Sequence, residues 1–129
     1  MAEVEVIEVF LSKAEESLDG AESEFINRRY HNSVNRGYYA CFQAAIVALA
    51  REGITPRGRQ WGHDFVQAQF AGELVYRRKL YPPELRDVLP QNLAVRQRAD
   101  YELQRVSEVQ ALRALRRARD FVAAIQERR

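Results

Sequence analysis

Apolar residues recur at steps of three and four along most of this chain, and the densest run lies between Asn35 and Gly53, NRGYYACFQAAIVALAREG. Val34, Tyr38, Cys41, Phe42, Ala45 and Leu49 fall on one face of an α-helix. Tyr39, Ile46, Val47 and Ala50 cover most of the remaining circumference. A helix that is apolar nearly all round has neighbours on several sides, so this stretch is expected to be the central helix. Arg51 and Glu52 give it a polar end, and Gly53 stands where a C-terminal cap belongs.

The same periodicity places the other elements. Residues 4–26 carry a heptad-like seam of Val4, Ile7, Leu11, Ala14, Leu18, Ala21 and Phe25, with acidic residues on the other faces and Gly20 as a site for a bend. The polar link Asn27 to Asn32 is short enough to make the first two helices antiparallel neighbours, with Asn32 or Ser33 as the second helix's cap. Pro56 and two glycines make residues 54–62 a loop. Its Trp61 either closes the core from the side or stacks on a base beside Arg57 and Arg59. A third helix runs from His63 to Val75, with Phe65, Val66, Phe70 and Leu74 inward and His63-Asp64 at its cap. The basic run Tyr76 to Tyr81 then forms a loop ended by Pro82-Pro83.

The fourth helical region, Glu84 to Glu102, is expected to open with a turn and to start its helix near Pro90, with Leu89, Leu93 and Ala99 inward. The last helix starts at Ser107, which with Gln110 makes a capping box, and runs to Gln126 on a stripe of Val109, Leu112, Leu115, Ala118, Val122 and Ile125. No segment reads as a strand. The expectation is all-α: one domain over residues 1–129, an antiparallel up-and-down bundle of four long helices plus one shorter one.

Composition narrows the chemistry. At 129 residues, 47% hydrophobic and 29% charged, the chain reads as one ordinary globular domain. It lacks a long uninterrupted apolar run and a basic-then-apolar leader, so a cytoplasmic protein with no membrane partner is expected. Cys41 is the sole cysteine, which excludes an intrachain disulfide, and its place in the apolar helix reads as inert core. Net charge is +2, yet residues 1–26 hold eight acids and one base while residues 27–129 hold nineteen bases and ten acids. Eighteen of the twenty bases are arginine, the better bidentate partner for phosphate; a GC-rich genome would produce the same bias.

His31 and His63 lie in no ligand-spaced motif, so no metal is expected, and no glycine-rich phosphate loop or nucleophile elbow occurs. Two readings of Arg96 to Tyr101 (RQRADY) stand. In one, Arg96 and Asp100 pair across a helical turn and Tyr101 packs on Tyr38 and Tyr39. In the other, the arginine faces a phosphate.

Three patches in order along the chain carry a resemblance: Lys13 to Leu18 with the later NSVNRGYYACF, His63 opening the third helix ahead of Phe70, and RQRADY. The sequence resembles the HEPN domain family, in the subgroup with an "RxxADY" ending. The resemblance implies a helical bundle, commonly a homodimer, with the region near Arg96 beside a dimer cleft. In ribonuclease members an R-x4-H motif there cleaves RNA without a metal. The arginine contacts the scissile phosphate and the histidine serves the 2′-hydroxyl or the leaving group. Here Arg96 matches the arginine, but Tyr101 stands in the histidine's place, and a phenol is a poor general base near neutral pH.

The expected role is therefore an RNA- or nucleotide-binding or interaction component of a toxin–antitoxin pair, partnered by a nucleotidyltransferase antitoxin. The alternative is a metal-independent endoribonuclease toxin. Arg96 and Tyr101 are the candidate catalytic pair. Asn35, Arg36, Tyr39, His63, Arg98 and Asp100 are the candidate RNA- or nucleotide-binding residues. No cofactor is expected.

Overall fold

A computed structural model describes residues 2–101, 103 and 105–128. Five α-helices follow one another: α1 Ala2–Ile26, α2 Tyr30–Arg51, α3 His63–Gln69, α4 Val88–Tyr101 and α5 Glu108–Glu127. A π-helical turn, Phe70–Arg77, continues α3, and a short 3-10 turn covers Pro83–Leu85. Among the described residues there is no strand. The bundle of long helices and one short one is the architecture that the periodicity predicts.

α2 is the central helix. It packs against α1, α3, α4 and α5, and the unbroken run from Ala44 to Ala50 is buried on every face. Burial of that run against four neighbours is an apolar contribution to the fold. The helix ends as Gly53 predicts. Gly53 takes φ +73°, its N–H donates to Ala50 O, and Ile54 N–H donates to Leu49 O. That double bond is a Schellman motif, which favours glycine because a Cβ is disfavoured at this φ.

Several local expectations are corrected. α2 starts at Tyr30, so Asn32 and Ser33 lie inside it and neither caps it; Arg29 holds the cap position without a side-chain bond. Ser33 instead donates from Oγ to Ala21 O at 2.8 Å and ties α2 to α1. α1 runs through Gly20 as helix, and the glycine leaves room for the Arg36 stem, 3.8 Å from where a Cβ would stand. Gly62, not His63 or Asp64, is the cap of α3.

The helix continues through Tyr76 and Arg77, where a loop was expected, by widening into the π-turn. That widening keeps Phe70, Leu74 and Val75 all buried. α4 starts at Val88, two residues ahead of Pro90, and its expected end at Glu102 lies outside the described residues. Trp61 is half-buried against the core and meets Phe65 edge-on at 6.2 Å, which favours the packing reading.

The capping box of α5 forms as expected: Gln110 N–H donates to Ser107 Oγ at 3.1 Å, and Ser107 N–H donates to Gln110 Oε1 at 3.0 Å. Val109 is 55% exposed and not part of the buried stripe, and Val4 at the head of the α1 seam is exposed as well. Phe121, which the stripe omitted, is fully buried against Phe70 at 4.9 Å.

Candidate functional site

One residue organises the site: Asn92 on α4, fully buried. Its Nδ2 donates to Ala114 O at 3.2 Å, and its Oδ1 accepts from Arg117 Nε at 2.8 Å. Asn92, Arg96 and Asp100 are spaced by four, so they share one face of α4. The buried amide therefore sets the rotation at which α4 presents Arg96 and Asp100 to the start of α2.

Arg96 lies across that start. Its Nε donates to Asn35 Oδ1 at 3.1 Å and sits 3.7 Å from Asp100 Oδ2. Its guanidinium carbon is 5.1 Å from the Tyr39 ring and 5.7 Å from the Tyr38 ring, within cation–π range of both. One hydrogen bond at Nε and the ion pair with Asp100 hold the guanidinium in place, and no hydrogen bond among the described residues engages its terminal nitrogens. Those two nitrogens form the edge that takes a phosphate or carboxylate bidentately.

Both histidines come to this cluster, His31 through Asp100 and His63 through Tyr38. His31 Nε2 is 2.6 Å from Asp100 Oδ1, so one carboxylate bridges His31 and Arg96. The acceptor on Nε2 fixes the proton there in the neutral ring and leaves Nδ1 as the basic nitrogen. The His31 side chain is half-exposed.

His63 stacks on Phe42 at 4.6 Å and lies 2.5 Å from the Tyr38 hydroxyl through Nδ1. Burial pushes the Tyr38 phenol up to about 12, while the Gln67 amide and the Arg96 charge pull it back in part. Tyr38 thus stays protonated at neutral pH and donates to His63 Nδ1. Gln67 Nε2 is buried, and its approach to Tyr38 falls short of a hydrogen bond.

The candidate residues therefore divide. Asn35, Tyr39, Arg96 and Asp100 form one contiguous cluster, and His63 joins it through Tyr38. Arg36 points to the other side of α2, where it lines a shallow cleft with Lys13, Glu16, Ser17 and Gln43. Arg98 is exposed, two residues from Arg96 and so on the far side of α4.

Tyr101 is 84% exposed and makes no contact with Arg96, Tyr38 or Tyr39 among the described residues. Five residues along a helix is about 140° around its axis, which turns Tyr101 away from the arginine. The tyrosine pair receives Arg96 in the place expected of Tyr101. Tyr38 is not among the candidate site residues, and His31 enters the sequence reading only as a histidine that could replace the missing one if the fold brought it near Arg96. Only the four-residue step from Arg96 to Asp100 hinted at the bridge, since His31 is 69 residues distant in sequence.

Among the described residues no three His, Cys, Asp or Glu side chains gather where an ion could be held. Among the described residues no helix is long and apolar enough to cross a membrane. Cys41 is fully buried and its thiol is pushed up to about 12 by burial, as inert core demands.

The chain is 27% identical to a Methanocaldococcus jannaschii protein described as a candidate toxin, over 128 residues that cover 95% of this chain and 88% of the relative. The HEPN domain family matches residues 7–128. That match spans the whole bundle, from the α1 seam to the end of α5, and with it the Asn35–Arg96–Asp100 cluster: the chain belongs to the HEPN domain family, with a toxin-like relative.

Proposed function

We propose that this protein is the RNA-binding component of a toxin–antitoxin pair, acting as a homodimer with a nucleotidyltransferase as its antitoxin, and that the Arg96 cluster is its phosphate site. The observation that carries the reading is the state of Arg96. Its Nε is held by Asn35 and Asp100 and its face lies on two tyrosine rings, while its terminal nitrogens are left for a ligand. A guanidinium fixed in this way loses little freedom on binding phosphate. Family membership and the toxin-like relative support the setting.

Binding of fluorescently labelled tRNA and single-stranded RNA, followed by anisotropy, tests it. Arg96→Ala is expected to weaken binding at least tenfold with the helical content unchanged; equal binding by the variant refutes the assignment. Co-purification with a co-expressed nucleotidyltransferase from the neighbouring reading frame tests the partner, and light scattering tests the dimer.

A second reading, metal-independent cleavage of RNA, is favoured by the His31–Asp100–Arg96 bridge. In it Arg96 contacts the scissile phosphate. His31 Nδ1 takes the 2′-hydroxyl proton, the freed oxygen attacks phosphorus, and the 5′-oxygen leaves with a proton returned by an acid. The products are a 2′,3′-cyclic phosphate and a 5′-hydroxyl. Cleavage in EDTA that is lost in both Arg96→Ala and His31→Ala supports it. Persistence in His31→Ala with loss in Tyr101→Phe would return the role to Tyr101.

A further inference from the structure

The link between α1 and α2 and the approach to α5 enclose a groove of about 550 Å3 beside the Arg96 cluster. Arg28, Arg29 and Arg105 line it together with His31, and among the described residues no carboxylate lines it. Two described acids nearby are turned to other tasks: Asp100 holds His31, and Glu108 accepts from the Tyr30 hydroxyl at 3.1 Å. Among the described residues only Arg29 of the three has an acidic partner, Glu24 at a long 3.5 Å, in an exposed pair worth little.

Arg28 adopts φ +62°, an uncommon conformation for a non-glycine residue. Tyr30 and Val106 add apolar surface between the cations. His31 belongs both to this groove and to the bridge onto Asp100 and Arg96. The groove and the Arg96 cluster are therefore continuous.

We infer that this groove is a second phosphate-binding subsite, and that it takes the backbone of single-stranded RNA on one side of the phosphate held by Arg96. The inference rests on the reading of Arg96 as a phosphate site and adds the substrate class: a polynucleotide strand rather than a mononucleotide. Three guanidiniums, of which only Arg29 has a carboxylate partner among the described residues, complement a run of phosphates. One guanidinium at Arg96 is enough for a single nucleotide.

The test uses the full chain with a 12-nucleotide single-stranded RNA and, separately, a nucleoside monophosphate, each titrated from 50 to 300 mM salt. The variant Arg28→Asn/Arg29→Gln/Arg105→Gln keeps a side chain that tolerates the left-handed φ at residue 28. It is expected to weaken RNA binding more than tenfold and to flatten the slope of log K against log salt by about 2, near 0.7 per lost phosphate contact. Mononucleotide binding should stay unchanged.

An unaltered slope overturns the groove assignment alone. Failure of the wild type and of Arg96→Ala alike to bind RNA above background overturns the Arg96 reading and this inference with it. Conversion of a wild-type dimer to monomers in the triple variant would give the groove to a second copy of the chain. Displacement of RNA by polyglutamate at equal charge concentration would give it to an acidic protein segment. Either result overturns the RNA assignment.

Discussion

Asn92→Ala separates the role of the buried amide from that of the apolar packing around it. The side chain is fully buried, and it bonds to α5 twice, through Ala114 O and Arg117 Nε, while Nδ2 also lies 3.7 Å from Cys41 Sγ on α2. The neutral bond contributes about 1 kcal/mol and the bond from the guanidinium about 1.5 to 3. A small cavity adds to the loss. Arg117 is partly exposed and recovers some hydration, so the net destabilisation is expected near 2 to 3 kcal/mol.

For a chain of 129 residues the unfolding entropy makes each kcal/mol about 4 °C, a fall of roughly 8 to 12 °C in Tm. Thermal melts followed by circular dichroism, with urea titrations for the free energy, measure it. A cycle with Arg117→Ala isolates the charged bond, with an expected coupling of about 1 to 2 kcal/mol. A loss under about 0.5 kcal/mol, or additive single variants, would refute the idea that this amide anchors α4. RNA affinity should then be insensitive to residue 92 as well.

Gly37→Ala is expected to be tolerated, because an added Cβ would stand 3.8 Å from Ala118 Cβ and 3.9 Å from Ala21 Cβ, ordinary contact distances. The gain in helix propensity makes it neutral or stabilising by up to about 1 kcal/mol, read as a raised urea midpoint, whereas Gly37→Leu should lower it. Ser107→Ala removes the hydroxyl that accepts from Gln110 N–H, one of the two arms of the α5 capping box, and should cost about 1 kcal/mol in the same titration.

Alkaline pH should destabilise the fold. Tyr38 and Cys41 both have folded values raised to about 12, from 10.0 and 9.0. Their stabilisation is complete below the unfolded values and is lost as pH rises, since the unfolded chain releases these protons first. By pH 11 the losses are roughly 1 kcal/mol for Tyr38 and roughly 3 for Cys41. The gap between urea midpoints at pH 8 and 11 should narrow in Tyr38→Phe/Cys41→Ala, with Tyr81, whose phenol burial also raises, keeping part of it; an equal fall in wild type and variant would contradict the assignment.

The sequence by itself determined the helices and their order. Apolar steps of three and four, Gly53 past the end of α2, and Ser107 with Gln110 at the start of α5 are local signals, and each acts within a turn or two of its own residue. The central place of α2 was legible for a related reason: a helix that is apolar all round has to be surrounded. The pairing of Arg96 with Asp100 is likewise a four-residue relation within one helix.

The tertiary structure alone decided the rest. Val109 follows the apolar step yet is exposed, because periodicity gives a face but not where the neighbouring helix stops. Asn92 looks like any polar surface residue until α5 supplies Ala114 O and Arg117. The meeting of His31 with Asp100, and of His63 with Tyr38, joins residues from different helices across 69 and 25 positions. Tyr101 sits in the motif, but the pitch of α4 turns it to solvent; the packing of α4 on α2 brings His31 to Asp100 instead, and that of α3 on α2 brings His63 to Tyr38. A side chain's neighbours across helices depend on crossing geometry that no local pattern encodes, so the motif located the site while the packing chose its members.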